Sequence, residues 1–484
     1  MSLINIRNLT FGYDGSDKVL FDDVSIGIDT EWRLGLAGRN GRGKTTFLQL
    51  LQGKLPYSGT ITGVPQTVTF PCEELPDFED WKIRKELNLM NADPDIMYRP
   101  METLSGGERT KLMLAGLFAT DGLYPMIDEP TNHLDRKGRE KVAEYLSSKN
   151  GFILISHDRS FMDMCTDHTL VITKTGLELT ASTFSVWWDN NEQRMQSEQS
   201  RNDQLKKEMT SIDAAMKKNA QWSRKAEANK SRNNPQCAED HLRRAFEAKK
   251  ASKLMSLAKN LEQRNERKLE EKQGLLKDLE RSEKLKIQGS EHHNRTPVIF
   301  KNVSLLRYGD VVTDNVNLTI ERGSKISLQG PNGCGKSTLI KYLAGIGEDE
   351  GITVEGDVYI APGLKISYVG QDTSSLHGTI YEIAAEHGAD KTQLSTILVK
   401  MGFTKEMLTR DVEALSLGQK KFVMIALSLC QQADLYLWDE PLNYIDVYMR
   451  KEIERLVKEN DITLLFVEHD RSFAQAVADV EVEM

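Results

Sequence analysis

Apolar and polar positions change rhythm three times along this chain. Up to about residue 30 they alternate, with turn residues between, as antiparallel strands do. Short continuous apolar runs follow, such as Leu34-Gly35-Leu36-Ala37, and predict buried strands. Helix-period segments such as Thr46-Phe47-Leu48-Gln49-Leu50-Leu51 come after them. From about Trp187 to Thr296 the pattern is helical throughout. Leu205, Met209, Ile212 and Met216 line one helix face; Leu254, Ala258 and Leu261 line another, which Leu269, Leu276 and Leu279 continue. This stretch has almost no Gly or Pro, and Ser231-Arg232-Asn233-Asn234-Pro235-Gln236 breaks it with a turn signal. The expectation is an antiparallel hairpin of two long helices. A helix of roughly 45 residues at ~1.5 Å per residue reaches ~65 Å. Beyond Thr296 the strand and helix rhythm returns.

The pattern divides the chain into a first lobe (1–186), a helical hairpin (187–296) and a second lobe (297–484). A length of 484 residues suits such a division. No apolar run approaches the ~20 residues of a membrane span, and no signal peptide is legible at the N-terminus. The chain stops 15 residues after His469, so no C-terminal extension is expected. Cys72, Cys165, Cys237, Cys334 and Cys430 are scattered without CxxC spacing, which argues for a reducing cytoplasm and against an iron–sulfur or zinc site.

Charge refines the picture. The whole chain carries −9, from 63 Lys+Arg and 72 Asp+Glu. Residues 191–296 hold 25 basic and 17 acidic residues, +8, which leaves −17 for the lobes. Residues 216–260 hold 12 basic and 4 acidic residues, so the whole positive excess lies around the turn. An acidic body repels polyanions and a basic tip attracts them. The tip offers Trp222, Arg224, Lys225, Lys230, Arg232, His241, Arg243, Arg244 and Phe246. Cations of this kind grip RNA phosphates, and aromatic or guanidinium planes stack on unpaired bases. Trp222 and Phe246 suit the helix seam equally well.

The chemistry lies in the lobes. Gly38-Arg39-Asn40-Gly41-Arg42-Gly43-Lys44-Thr45 fits the phosphate-binding loop, with strand before it and helix from Thr46 after it. Its glycines let backbone N–H groups close on phosphates at a helix N-terminus. Lys44 brings a charge to the β/γ-phosphates, and Thr45 a hydroxyl for magnesium. Ser105, Gly106, Gly107 and Glu108 open a helix and offer donors to a γ-phosphate. Asp128 and Glu129 end an apolar strand, one suited to hold magnesium through water and the other to polarise the attacking water. His157 follows a further apolar strand, within reach of the γ-phosphate. Tyr13 is a candidate ring for adenine. Pro125 is unexpected in a buried strand, because it lacks a ladder donor.

The second lobe repeats the series. Gly330-Pro331-Asn332-Gly333-Cys334-Gly335-Lys336-Ser337-Thr338 is the loop and Tyr308 the aromatic; then come Ser416, Gly418 and Gln419, Asp439 and Glu440, and His469. Lys336 lies 292 residues after Lys44, whereas Ser416 and Glu440 lie 311 after Ser105 and Glu129, and His469 lies 312 after His157. The first lobe therefore lacks about 20 residues between the loop and its signature, the segment Leu104-Ser105-Gly106-Gly107-Glu108 that Leu415-Ser416-Leu417-Gly418-Gln419 repeats.

These motifs resemble those of the ATP-binding cassette (ABC) ATPases over residues 1–180 and 297–484. The resemblance implies an α/β fold with two ABC-type nucleotide-binding domains, each a P-loop core with antiparallel β and helical subdomains. It implies ATP and Mg2+ as ligands, with Gln371 as a magnesium-sensing glutamine. The missing segment would belong to the first helical subdomain. Each signature would cap the nucleotide of the opposite cassette, in a single chain whose two cassettes close on each other. Two residues depart from the pattern. Cys72 takes the glutamine position in the first cassette, and Leu417 replaces a signature glycine in the second. Both would fall on the composite site built on Lys44, which is expected to be the slower.

Tandem cassettes around a helical linker resemble the ABC-F group, and Asp128–Asp135 reads DEPTNHLD, as that group does. The trimmed first cassette leaves no room for the arm of the housekeeping translation factors. The Leu417 signature, Asp439-Glu440-Pro441-Leu442-Asn443-Tyr444-Ile445-Asp446-Val447 and Ala248-Lys249-Lys250-Ala251-Ser252-Lys253-Leu254-Met255 resemble the Vga- and Lsa-type resistance members. That resemblance implies a 70S ribosome as partner, with no membrane subunit and no DNA. The protein would enter the exit (E) site, where the hairpin tip meets large-subunit rRNA and P-site tRNA, and lincosamides, pleuromutilins and streptogramin A leave. A housekeeping ABC-F factor is the main alternative and a fused importer ATPase a weaker one. A DNA-organising coiled-coil ATPase would split one cassette across its coil, whereas each half here is complete.

Overall fold

The computed structural model describes residues 3–13, 19–72, 79–132, 134–173, 176–230, 293–346, 350–374, 376–401 and 403–484. The alternating N-terminal segment forms strand Leu3–Gly12, the centre of a three-stranded antiparallel sheet between Val19–Asp29 and Ser58–Thr62. Its Ile4, Ile6, Leu9 and Phe11 are buried, as a half-covered strand requires.

The main sheet of the first lobe has six strands. In spatial order they are Gln66–Phe70, Leu123–Asp128, Phe152–Ile155, Arg33–Gly38, His168–Ile172 and Leu177–Thr180. The first five run parallel and the last is antiparallel. Central strands covered on both faces are apolar throughout, which is why Phe152-Ile153-Leu154-Ile155 does not alternate. In such a sheet ligands bind beyond the carboxyl ends of the strands. The phosphate loop leaves the end of Arg33–Gly38, Glu129 that of Leu123–Asp128, and His157 that of Phe152–Ile155.

The second lobe repeats this plan. Its antiparallel sheet has Val298–Arg307 between Asp310–Ile320 and Ile352–Ile360. Its parallel sheet runs Ile366–Val369, Leu435–Asp439, Leu464–Val467, Lys325–Gln329 and Val480–Glu483. The expected α/β architecture with two P-loop domains is the one observed.

The deficit of the first lobe has two sources. From Lys44 to Phe70 is 26 residues, against 33 from Lys336 to Val369; from Phe70 to Ser105 is 35, against 47 from Val369 to Ser416. About a third of the loss therefore falls on the antiparallel sheet, where Ser58–Thr62 has 5 residues and Ile352–Ile360 has 9. The rest falls on the helical subdomain, which keeps helix Asp80–Leu89 where the second lobe has Ile380–Glu386, Lys391–Lys400 and Lys405–Thr409. Pro125 is also explained. It pairs with Val68 on one side, and pairing with the strand on the other side starts one residue later, at Met126 with Ile153. The missing N–H thus costs one terminal rung, the bond that Tyr436 makes to the Thr463 carbonyl in the second lobe.

The chain forms two compact units, Met1–Trp187 with Glu283–Met484, and Trp188–Ser282. Helix Phe184–Lys230 has 47 residues, about 70 Å at 1.5 Å per residue. Its first turn belongs to the first lobe, where Phe184 and Trp187 are buried and the Trp187 indole donates to Glu178 (3.1 Å). Beyond that turn, Leu205, Met209 and Ile212 are half-buried. The expected turn at 231–236 and the second hairpin helix lie outside the described residues.

Candidate functional site

Each phosphate loop follows the end of a strand and ends on a glycine in the left-handed region, Gly43 (φ 91°) and Gly335 (φ 96°), which caps the helix beginning at Lys44 or Lys336. A Cβ at either position would be strained in that conformation. The Lys44 ammonium donates to the Gly38 carbonyl (2.8 Å) and to Asn40 Oδ1 (3.2 Å). The Lys336 ammonium donates to the Gly330 (2.8 Å) and Pro331 (2.7 Å) carbonyls. Burial lowers the Lys44 pKa against the pull of Asp446, Glu129 and Asp128.

Beside each loop a hydroxyl meets a carboxylate. Thr45 Oγ1 donates to Asp128 Oδ2 (3.3 Å), and Ser337 Oγ to Asp439 Oδ1 (3.0 Å). At the second loop Gln371 Nε2 also reaches Asp439 (3.4 Å). Sheet register pairs Phe70 with Ile127 and Val369 with Trp438, which puts Cys72 where the second lobe has Gln371. The Cys72 thiol is half-buried, and burial raises its pKa. Among the described residues no cluster of three or more His, Cys, Asp or Glu could hold a metal. One carboxylate and one hydroxyl fit magnesium, a hard cation that takes its remaining oxygens from phosphate and water.

Glu129 and Glu440 share a strained backbone, with φ of +53° and +48°. Their N–H groups donate to the Ile155 and Val467 carbonyls of the next strand, which fixes that conformation. His157 Nε2 lies 3.6 Å from Glu129 Oε1, and His469 Nε2 lies 3.7 Å from Glu440 Oε1. The two carboxyls differ in character. Burial, then the charge of Asp128, pushes Glu129 up to about 8. Burial acts on Glu440 too, but His469, the Asn443 amide (2.7 Å) and Lys421 outweigh it and hold the carboxyl below its ordinary value. Burial, with Lys44 and Arg450 nearby, holds His157 well below the usual imidazole range, so it is neutral near pH 7.

The two lobes meet across the first phosphate loop. Asn40 N–H donates to Asp446 Oδ2 (2.8 Å), and its side-chain amide donates to the Tyr444 carbonyl (3.0 Å). Arg39 lies over the Tyr448 ring at 5.2 Å. Gly418 packs here as well: a Cβ on it would lie 2.2 Å from the Tyr444 carbonyl and 3.2 Å from the Asn40 amide. The second signature therefore adjoins the first phosphate loop. Leu417 beside it is 54% exposed. Ser160 and Ser472, equivalent in the two lobes, share a hydrogen bond of 2.6 Å. Around it stand the buried pairs Arg139–Asp158 (3.0 Å) and Arg450–Asp470 (2.7 Å), repeats of each other. Sequence reading did not single out Asn443, Arg139, Arg450, Asp158, Asp470 or Lys421; their recurrence at the repeat offset was the available signal for the two ion pairs.

Both signatures are helix caps. Ser105 Oγ accepts from the Glu108 N–H (3.3 Å) and donates to the Glu108 carboxylate (2.7 Å), ahead of Gly106 and Gly107. Ser416 Oγ accepts from the Gln419 N–H (3.3 Å), while Gln419 accepts from the Ser416 N–H, not from its hydroxyl. The Tyr13 ring lies edge-on to Phe11, and its hydroxyl bonds Thr46 (2.8 Å) just after the loop. Tyr308 is exposed at φ +52°, its N–H donating to the Gly351 carbonyl. Gly41, Asn332, Gly333 and Thr338 lie in or directly after the loops. Trp222, Arg224, Lys225 and Lys230 are on helix Phe184–Lys230, with side chains outside the described set. Arg232, His241, Arg243, Arg244 and Phe246 lie outside the described residues.

Residues 21–78 and 313–443 match the ABC transporter family. The chain is 26% identical over 480 residues to the ribosome protection protein VmlR of Bacillus subtilis (strain 168), covering 98% of this chain and 85% of that one. It is 27% identical over 502 residues to the erythromycin resistance ATP-binding protein MsrA of Staphylococcus epidermidis, covering 99% and 97%. It is also 27% identical to the ATP-binding protein Uup of Caulobacter vibrioides, covering 97% and 75%. Among solved structures, the complex of archaeal ribosomal stalk protein aP1 and archaeal ribosome recycling factor aABCE1 aligns with TM-score 0.62 at 19% identity, covering 98% and 87%.

The geometry generates two predictions. Gly418→Ala should lower ATP turnover by about 100-fold, because the added methyl displaces the contact at Asn40; a melting temperature within a few degrees of the parent would show that the lobes still fold, and unchanged turnover would refute the contact. Glu440→Gln should slow total turnover more than Glu129→Gln. The residual rate in Glu440→Gln should rise with pH through about 8, as Glu129 ionises and becomes a base, while that in Glu129→Gln should stay flat there. Equal losses with parallel pH profiles would show that the two sites do not differ.

Proposed function

We propose that the chain is a tandem ABC ATPase of the ABC-F family and that it protects ribosomes from antibiotics bound at the peptidyl-transferase centre. In this reading it is cytoplasmic, binds the ribosomal E site with ATP between its closed cassettes, and directs the hairpin tip toward P-site tRNA and large-subunit rRNA. Lincosamides, pleuromutilins and streptogramin A then leave. The observation that carries the reading is the charge placement: the linker's whole excess of +8 lies in residues 216–260, which the 47-residue helix Phe184–Lys230 enters. The names of two relatives, a ribosome protection protein and an erythromycin resistance protein, support it. No helix among the described residues is long and apolar enough to cross a membrane.

Each site residue has a task in this reading. Lys44 and Lys336 leave their loop carbonyls for the β/γ-phosphate oxygens, and the loop N–H groups close on the same phosphates. Thr45 with Asp128, and Ser337 with Asp439 and Gln371, would hold a magnesium ion, which would supply positive charge to offset that of the phosphates. Glu129 and Glu440 orient the attacking water, and His157 and His469 reach the γ-phosphate. Ser416 and Gly418 cap the nucleotide on Lys44; Ser105, Gly106 and Gly107 cap the one on Lys336. Tyr13 and Tyr308 stack on adenine.

A housekeeping translation factor is the second reading, and the match to the ATP-binding protein Uup favours it. Drug susceptibility of cells expressing the gene separates the two: protection from lincosamides and pleuromutilins supports the first reading, and unchanged susceptibility the second. In a purified translation system, Glu129→Gln with Glu440→Gln should retain ATP and arrest synthesis; normal turnover in that variant would overturn the assignment of both carboxylates. Shortening the tip between Asn229 and His241 removes no nucleotide contact. It should leave ATP turnover near normal and abolish drug protection. Continued protection would make the hairpin a strut and not the effector.

A further inference from the structure

The second lobe contains a buried lysine whose charge acts on Glu440 but whose hydrogen bonds the nucleotide chemistry above leaves without a task. Lys421 lies one turn into the signature helix Leu417–Cys430 and is 1% exposed. Its ammonium donates to the Gly370 carbonyl (2.6 Å) and the Gln371 carbonyl (3.2 Å), the backbone that carries the Gln371 side chain to Asp439. The acidic groups that act on it are Asp439, Glu468, Glu440 and Asp372. Burying a lysine costs several kcal/mol unless it is paired and hydrogen-bonded, so a chain that keeps one has bound it to something specific.

The internal repeat shows what the lysine replaces. At the offset of 311 that relates the two signatures, the first lobe has Thr110, also buried. At the offset of 312 that relates His157 to His469, the first lobe has Ser156 where the second has Glu468. The Glu468 carboxylate is 3% exposed and accepts from the Leu442 N–H (3.1 Å), the His469 N–H (2.8 Å) and the Asp470 N–H (3.3 Å). Ser156 accepts from the Asp158 N–H (3.1 Å). Two neutral hydroxyls of the first lobe have thus become a cation and an anion in the second. Lys421 borders the loop that carries Gln371, the residue whose counterpart in the first lobe is Cys72, and Glu468 acts on Lys421 through its charge.

We propose that Lys421 is a positioning residue: it ties the Gln371 loop of the Lys336 site to the signature helix that faces the Lys44 site, so that metal binding at one site is transmitted to the cap of the other. The path is short. Lys421 holds the Gln371 backbone, and four residues before it in the same helix Leu417 begins the segment in which Gly418 packs on Asn40 and Tyr444. A loop drawn toward Mg-ATP by Gln371 moves against an ammonium fixed in the signature helix. The first lobe, with Cys72 and Thr110, has neither the glutamine nor the lysine. This link requires only ATPase chemistry and is independent of any ribosome.

The test uses the whole chain and exchanges both positions for their first-lobe counterparts, Lys421→Thr with Glu468→Ser, so that the two opposite buried charges are removed together. Lys421→Arg is the conservative control. In a Glu129→Gln background, where turnover reports Glu440, the paired exchange should raise the magnesium concentration for half-maximal rate by about tenfold, the usual cost of losing a group that orients a metal ligand; Lys421→Arg should restore it. A second readout is independent of turnover. In Glu129→Gln with Glu440→Gln holding ATP, magnesium should slow amide exchange both at Ile366–Asp372 and at Leu417–Lys421. After the paired exchange the second effect should disappear, while ATP still protects Gly330–Ser337. If magnesium protects Leu417–Lys421 equally with and without Lys421, or if the half-saturation does not move, the lysine is a packing residue and the proposal fails.

Discussion

Everything in this molecule depends on one close approach, that of the Tyr444 carbonyl to Gly418 and Asn40. It joins the phosphate loop of one cassette to the signature and following loop of the other. The space there excludes a methyl group, and the Asn40 N–H and amide find their acceptors on the opposite cassette. The first phosphate loop therefore has the opposite cassette as one of its walls. The pseudo-symmetric bond between Ser160 and Ser472, with an Arg–Asp pair on each side, gives the contact an axis. Each pair lies within its own cassette, and the charges of Asp158 and Arg450 act on each other between the two.

Within that frame the two sites differ chemically. Glu129 has a buried oxygen without a hydrogen-bond partner among the described residues and a carboxyl raised to about 8. Glu440 has the Asn443 amide, His469 and the charge of Lys421. The same strained backbone thus presents a carboxyl that favours its proton in one site and a carboxylate in the other. The asymmetry expected from Cys72 and Leu417 alone extends to the Glu129 and Glu440 carboxyls themselves.

Much of this was legible in the sequence, because phosphate binding constrains short segments heavily. A loop that must present successive N–H groups at a helix N-terminus dictates its own glycines, and its recurrence fixed both cassettes and the sheet around them. The trimmed first cassette followed from comparing two offsets, although the structure divides the loss between the antiparallel sheet and the helical subdomain. Other features were hidden because they arise from residues far apart in the chain. Asn40 and Asp446 are 406 residues apart, and no local pattern marks them as partners. Lys421 reads as one more cation in a polar helix start until the sheet brings the Gln371 loop onto it. Pro125 was unexpected because a sequence does not show where a ladder begins.

The central claim is that closure of the two cassettes on ATP creates the ribosome-binding form. It is tested most directly by pelleting Glu129→Gln with Glu440→Gln through a sucrose cushion with 70S ribosomes, with and without Mg-ATP, and in parallel with Gly418→Ala added. The account predicts ATP-dependent pelleting that the added methyl abolishes, with no pelleting on membrane vesicles in any condition. Ribosome binding that is indifferent to ATP and to Gly418→Ala, or ATP-dependent capture by vesicles, would contradict it.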